Sequence, residues 1–546
     1  MSVGSRWQSD NLSRSAAGNR NPWLVAVVIS IATFMQVLDA SIANVALRNI
    51  AGSLAAGLDE STWVLTSYLV ASAIVLPISG WLSGVIGRKR YYMSCVALFT
   101  VSSLLCASAP TLSTLIIFRV LQGLGGGGMA PTEQAMLADT FPARLRGQAF
   151  ALYGIAVIVA PTVGPALGGW LTDNLSWHWI FLINGPIGLI SLTLVQWMVH
   201  EPEVLERERQ ERFARGLKVD WIGFVFIALA LGCLEIVLDK GEREDWFASS
   251  FIITFATISF LSFVLFVPWE LSRDDPIVDI RLFGRRQFAV CCLMMLAVGA
   301  VLFSSTQLLP QLVQTGFQYT ATLSGLVLMP GGLAMLLMMP VAGKLSSYVA
   351  SKYLICTGLV IVALAMWHST SLSPDADFSF FAWARAYQTI GLPFLFIPIT
   401  SASYAGLPSN KTNEASALVN VARNLGGSIG ILVAGTVLAR STQMHQNYLT
   451  AHLVPTSPAY QEALRAAAAQ LSTMFPAPEA QKRAFGLIEQ SVLQQATLLS
   501  YIDVFAGLAL IAAALVPIAF LLLRPAREAP VRNSNAIASF GTRATR

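Results

Sequence analysis

The chain has 546 residues, of which 55% are hydrophobic and only 12% are charged, and its mean hydropathy is +0.62. Soluble domains carry about 25% charged residues, so half the usual charge is absent and a large soluble core is excluded in favour of a polytopic membrane protein. The net charge of +5 is explained by an asymmetry between loops, described below, and calls for no nucleic-acid partner.

In chain order, residues 1–22 form a polar tail with Arg6, Arg14 and Arg20 and no apolar h-region, so no cleavable signal peptide is expected and the first span serves for insertion. Crossing the hydrocarbon takes about 20 residues. Runs of that length lie near 24–46, 62–86, 92–109, 112–137, 148–172 and 178–199, which make a first six-helix half over 23–199. A charged linker (200–218) leads to two extra spans near 219–239 and 247–268, and a basic linker (269–287) follows. The second half, 288–523, holds runs near 288–310, 320–345, 350–369, 378–404, 413–438 and 498–523, with a long external loop at 440–497. A polar tail closes the chain at 524–546. The fold class is therefore all-α, with two six-helix halves, two extra helices and fourteen spans. The loop stretches Ser457 to Thr473 and Gln481 to Gln495 favour helix, and they suit either a solvated insertion or a docking surface.

Lysine and arginine set the topology. Of 35 such residues, the tails and one set of connections, including Arg88, Lys89, Arg144, Arg285, Lys344, Lys352 and Lys411, place the large majority on one side. Arg48, Lys240, Arg440 and a few others fall on the opposite side, while Arg119, Arg385 and Arg423 lie inside spans. Both termini are thus expected to be cytoplasmic. An internal repeat supports the two halves: Pro77-Ile-Ser-Gly-Trp-Leu-Ser83 matches Pro340-Val-Ala-Gly-Lys-Leu-Ser346, and Arg119-Val-Leu-Gln122 matches Arg385-Ala-Tyr-Gln388. Transporters are commonly built from such parallel repeats, with the substrate held between them. The fifth span is broken by Pro161, Gly164, Pro165, Gly168 and Gly169. Inside a bilayer that composition makes a bent helix that packs closely on a neighbour.

Ionisable residues in spans are costly and mark functional sites. Asp39 lies about 24 Å along the first helix and Arg119 about 12 Å along the fourth, which runs the other way, so their depths are comparable. Thr33, Gln36, Asp39 and Asn44 share a face about 140° wide, expected to line a wet cavity. Arg119, Gln122, Gly126 and Glu133 share a face of the fourth helix if it continues unkinked through Gly125–Gly128. Asp39, Arg119 and Glu133 are the expected proton-coupling residues. Gln36, Asn44, Gln122, Gln307 and Gln388 are the expected substrate contacts. Glu235 lies outside the repeated core and reads as structural. The run Leu124-Gly-Gly-Gly-Gly-Met129 has no preceding strand and no Lys-Ser/Thr, so it is no phosphate loop, and no histidine has a partner at metal-ligand spacing. No enzyme, metal or organic cofactor is expected; with no nucleotide site, an ion gradient is the expected energy source.

These residues resemble a known family. Leu38-Asp39-Ala-Ser-Ile-Ala-Asn44, Arg119-Val-Leu-Gln122-Gly123, and Pro161-Thr-Val-Gly164-Pro165-Ala-Leu-Gly168-Gly169 followed by Trp177-His-Trp-Ile-Phe-Leu-Ile-Asn184 are similar to the signatures of the fourteen-helix drug:proton antiporters of the major facilitator superfamily, in their EmrB/QacA branch. The resemblance covers nearly all of the chain. It implies proton-driven export of hydrophobic drugs from a bacterial inner membrane, with an EmrA-like periplasmic adaptor and a TolC-like outer-membrane channel as partners. An exporter of an anionic metabolite, such as a fatty acid or siderophore, is the alternative. The loop motif departs from the family: Gly80-Trp-Leu-Ser-Gly84-Val-Ile-Gly87-Arg88-Lys89 has Gly84 where the family has an acid, which puts its gating salt bridge in doubt.

Overall fold

A computed structural model describes residues 21–522, apart from 202–205, 208, 211–213, 215–218, 243, 275, 409–410 and 454–455. Both tails and most of the linker 200–218 therefore lie outside the described residues. Helices account for all the regular structure among those described. The first half comprises α1 (Pro22–Ser53), α2 (Trp63–Ile86), α3 (Arg88–Ala107), α4 in two pieces (Leu112–Gly126 and Met129–Thr140), α5 (Ala143–Asn174) and α6 (Trp179–Leu182 with Asn184–Met198). The extra pair is α7 (Trp221–Lys240) and α8 (Ser250–Leu271). The second half comprises α9 (Arg286–Thr315), α10 (Ala321–Leu345), α11 (Ser351–Ser369), α12 in two pieces (Phe378–Ile390 and Pro393–Ser403), α13 (Thr412–His452) and α14 (Ala477–Leu522).

Thirteen of these, with α4 counted whole, are long and apolar enough to cross a membrane. The fourteenth, α12, is interrupted at Gly391-Leu392 before Pro393, whose ring cannot continue the hydrogen-bonded ladder. α5 runs unbroken through Pro161 and Pro165. The run 440–497 is largely helical: α13 and α14 have 41 and 46 residues, about 60 and 70 Å of helix, against about 30 Å of hydrocarbon. Both therefore project past the membrane, and a short helix, Pro458–Leu471, packs on α14.

Small residues set how close the helices come. α9 and α13 cross where a Cβ on Gly430 would lie 2.5 Å from Ala300 Cα. Gly430→Val is therefore expected to wedge the pair apart at a cost of about 1–3 kcal/mol, read as a lowered Tm of the purified protein; an unchanged Tm would contradict this packing account.

The halves meet through α2 and α13, α5 and α10, and the second pieces of α4 and α12 against α13 and α5. Their close contacts gather at the end bearing Arg88–Arg90 and Lys411, the basic end. There a Cβ on Gly80 would lie 2.8 Å from Glu414 Cα, and one on Gly147 2.8 Å from Ser346 Cβ. Phe150 stacks on Tyr404 at 5.7 Å and Tyr153 on Phe396 at 6.3 Å. Asn420 Nδ2 donates to Gln134 Oε1 at 2.8 Å. The basic end is thus closed, while Asn44 and Gln307, further along α1 and α9, are exposed.

Candidate functional site

α1 brings Asp39 into the middle of the first half, against α2, α4 and α6. Asp39 Oδ2 accepts from Arg119 Nη1 at 2.7 Å. Its other oxygen, Oδ1, accepts from Gln122 Nε2 at 2.9 Å and from Asn184 Nδ2 at 2.7 Å. Arg119 Nη1 also donates to Gln122 Oε1 at 2.8 Å, and its Nε donates to the Val64 carbonyl at 3.0 Å. The Tyr68 ring covers the guanidinium at 4.4 Å and Phe181 lies at 5.7 Å. Asn184 is held in turn by Ser103, which donates to the Phe181 carbonyl at 2.9 Å.

Asp39 and Arg119 are 1% and 0% exposed. The expected wet wall on α1 is therefore split: Thr33 and Asp39 are buried, Gln36 is half-buried beside Tyr68 and Gly126, and Asn44 alone is exposed. The carboxylate is sealed by its own partners instead of opening on a vestibule. A buried ion pair costs less the more of its remaining hydrogen-bonding capacity is met. Here three donors meet the carboxylate, and one acid balances one guanidinium. Any step that protonates Asp39 must first loosen this clamp.

The single polar stripe expected along the fourth helix does not form. The helix breaks at Gly127-Gly128, and Glu133 joins a second cluster lower on α1. Thr33 Oγ1 donates to Glu133 Oε2, and the Tyr92 hydroxyl lies 2.7 Å from Glu133 Oε1 and 2.8 Å from the Ile29 carbonyl. One phenolic proton cannot serve both acceptors. When Tyr92 donates to Ile29, its contact with Glu133 requires the proton to come from the acid. No cation pairs with Glu133 among the described residues.

Other expected residues fall elsewhere. Gln307 is exposed on α9, and Gln388 is buried on α12, donating to Ser369 Oγ at 3.0 Å. Neither reaches Asp39. On α5, Gly164 faces Ser41 and Gly168 faces Ile42, where an added Cβ would lie 2.8 Å from Ile42 Cγ2; Gly169 has open space around it, and Pro161 and Pro165 are half-buried. The proline-glycine segment is thus seated on α1 within one turn of Asp39. In the loop motif Gly87 has φ +98°, a value L side chains rarely adopt. Arg88 pairs with Asp139 on α4, its amide donates to Glu201 Oε1 at 2.9 Å, and Lys89 Nζ donates to the Gln196 carbonyl at 2.8 Å. Gly84 leaves this motif without an internal acid, and Asp139 and Glu201 supply the charge from neighbouring segments. Lys411 sits 2.9 Å from Asp279 and 2.9 Å from Glu414; burial works against its charge, but these acids outweigh it and hold its ammonium above the ordinary lysine range.

Sequence reasoning missed Asn184, Ser103, Tyr92 and Asp139 as site residues. Asn184 carried a usable signal, being an amide alone in the apolar run Trp179 to Ile187.

Residues 29–431 match the model of the Major Facilitator Superfamily. The chain belongs to the major facilitator superfamily. This facilitator is 38% identical to the multidrug export protein EmrB of Haemophilus influenzae, over 80% of its own length and 84% of the relative's. It is 32% identical to the fatty acid resistance protein FarB of Neisseria gonorrhoeae, over 92% and 96%. Among solved structures, a double tryptophan mutant of XylE aligns over 91% of this chain and 96% of the other, with a TM-score of 0.58 at 13% identity, a likeness of fold alone. The facilitator thus lies in the EmrB branch, a family of membrane transporters associated with multidrug export and resistance.

Proposed function

We propose that this facilitator is a proton-driven antiporter that exports hydrophobic drugs across a bacterial inner membrane. The observation that carries the reading is the Asp39–Arg119 pair: one titratable acid, sealed in the spanning region and neutralised by a fixed cation. Such a pair stores a choice between proton and counter-charge. A proton arriving at Asp39 frees Arg119, Gln122 and Asn184 to rearrange and lets cargo leave; the next cargo to bind displaces the proton and resets the clamp. The seating of Gly164 and Gly168 on Ser41 and Ile42 supports coupling of that local change to a rocking of the halves. With both termini on the cytoplasmic side, the closed basic end is the cytoplasmic one, and the conformation faces outward. Glu133, buried between the clamp and that end, suits a second proton carrier on the inward path.

The projecting ends of α13 and α14 support a tripartite pump, in which they meet a periplasmic adaptor joined to an outer-membrane channel. A second reading, export of an anionic metabolite, is favoured by the similarity to FarB along 92% of the chain.

The test is transport of a panel of dyes by reconstituted protein under an imposed pH gradient. Export is expected to follow the gradient and to fall to background when a protonophore collapses it; transport that persists would defeat the reading. Arg119→Lys should reduce the rate by about tenfold or more, because a point charge cannot hold Val64, Gln122 and Asp39 together as a planar fork does. A near-normal rate would mean that the fork is dispensable.

A further inference from the structure

The repeated Arg-x-x-Gln pair holds more than a sequence echo. In the second half Arg385 and Gln388 stand on α12 as Arg119 and Gln122 stand on α4. Gln388 meets Ser369 of α11 as Gln122 meets Cys106 of α3. Arg385 reaches across to α9 as Arg119 reaches across to α1: its Nη1 donates to Ser305 Oγ at 3.1 Å and its Nη2 to Thr306 Oγ1 at 2.7 Å. The difference lies in what receives the guanidinium. In the first half it is the carboxylate of Asp39; in the second it is two neutral hydroxyls. Among the described residues no carboxylate pairs with Arg385, although the side chain is only 6% exposed.

A buried cation without an anion is costly, and the hydrogen-bond partners it has among the described residues are neutral hydroxyls. Arg385 stands about 10 Å along its helix from Phe378, too deep for a lipid headgroup to reach. The surroundings also leave donors to spare, since Ser304, adjacent on α9, has a buried hydroxyl without a hydrogen-bond partner. On the same helix Thr306 is half-buried, and Gln307, Gln311 and Gln314 form an exposed polar line along α9. Glutamines at that spacing share a helix face and suit a wet cavity better than lipid.

We propose that Arg385, Ser305 and Thr306 form a subsite for the carboxylate of an amphiphilic organic acid carried as cargo, the anion taking the place that Asp39 fills in the first half. Arg119 cannot serve that purpose while Asp39 neutralises it. The proposal names a cargo class for the exporter and rests on the transport reading, but its test does not depend on proton coupling.

The full chain in nanodiscs is titrated at pH 8 with dodecanoate and with its methyl ester, following tryptophan fluorescence. The wild type is expected to bind the acid about tenfold more tightly than the ester, as a charge-assisted contact would give. Arg385→Gln should bring the two within about twofold while the ester's Kd, a measure of the intact cavity, stays the same. Ser305→Asp supplies a resident carboxylate and should also remove the preference for the acid; it decides the matter if Arg385→Gln loses ester binding through misfolding. A preference that survives in Ser305→Asp or in a folded Arg385→Gln, or that is absent from the wild type, overturns the proposal. Loss of proton-driven dye transport in the wild type, with the acid preference intact and sensitive to both variants, would instead defeat the antiport reading and leave the subsite standing.

Discussion

Asp39→Asn is expected to abolish proton-driven export, leaving efflux at the level of protonophore-treated wild type. The amide keeps the size of the side chain and can still hydrogen-bond Gln122 and Asn184, but it can neither take up a proton nor balance Arg119. The change should also cost stability, because removing one member of a buried ion pair strands the other, typically by about 3–5 kcal/mol. The stranded group is Arg119, whose Nη2 already has no hydrogen-bond partner in the intact cluster. The two effects separate in the double variant Asp39→Asn with Arg119→Gln. Removing both charges should recover part of the lost stability and none of the transport. Thermal unfolding and dye efflux on the same preparations check both statements. Robust efflux by the single variant, or a double variant less stable than the single one, would contradict the role given to the pair.

The second large effect concerns the closed end. With cysteine at both Gly147 and Ser346, oxidation should fix α5 to α10 and stop transport almost completely, and a reductant should restore it. A Cβ built on Gly147 lies 2.8 Å from Ser346 Cβ, whereas a disulfide needs about 3.5–4.5 Å, so the helices must ease apart by about 1 Å to form it. Gly147 is not in contact with Asp39, so the variant leaves the proton site chemically intact. Transport that continues after complete crosslinking, verified by mass spectrometry, would show that this end does not open during the cycle.

Much of the architecture was legible because a bilayer constrains a chain severely. Every backbone group must bond within its own segment, so apolar runs of sufficient length could be read as spans. The ends of spans were less legible. α13 and α14 continue through polar, helix-favouring sequence that hydropathy treats as loop, and α3 begins at Arg88, a buried cation whose charge Asp139 meets. At the site, counting residues placed Asp39 and Arg119 at comparable depth, and the structure sets them 2.7 Å apart. Counting could not foresee that Asn184 closes the third side, because α6 meets α1 and α3 only through tertiary packing. Nor could it show whether α4 stays straight. The four glycines Gly125 to Gly128 permit a break, and the break divides one expected polar stripe into two clusters, one holding Arg119 and the other Glu133. Burial of Asp39 was likewise beyond periodicity, which marks a polar face but not whether water or another helix covers it.

Drug binding is expected to displace a proton held by Asp39. The most direct measurement adds drug to the purified protein in weakly buffered solution with a pH-sensitive dye. The wild type is expected to release protons in proportion to bound drug, and the Asp39→Asn variant to bind drug and release none. Equal release from both would contradict the assignment of the coupling proton to Asp39.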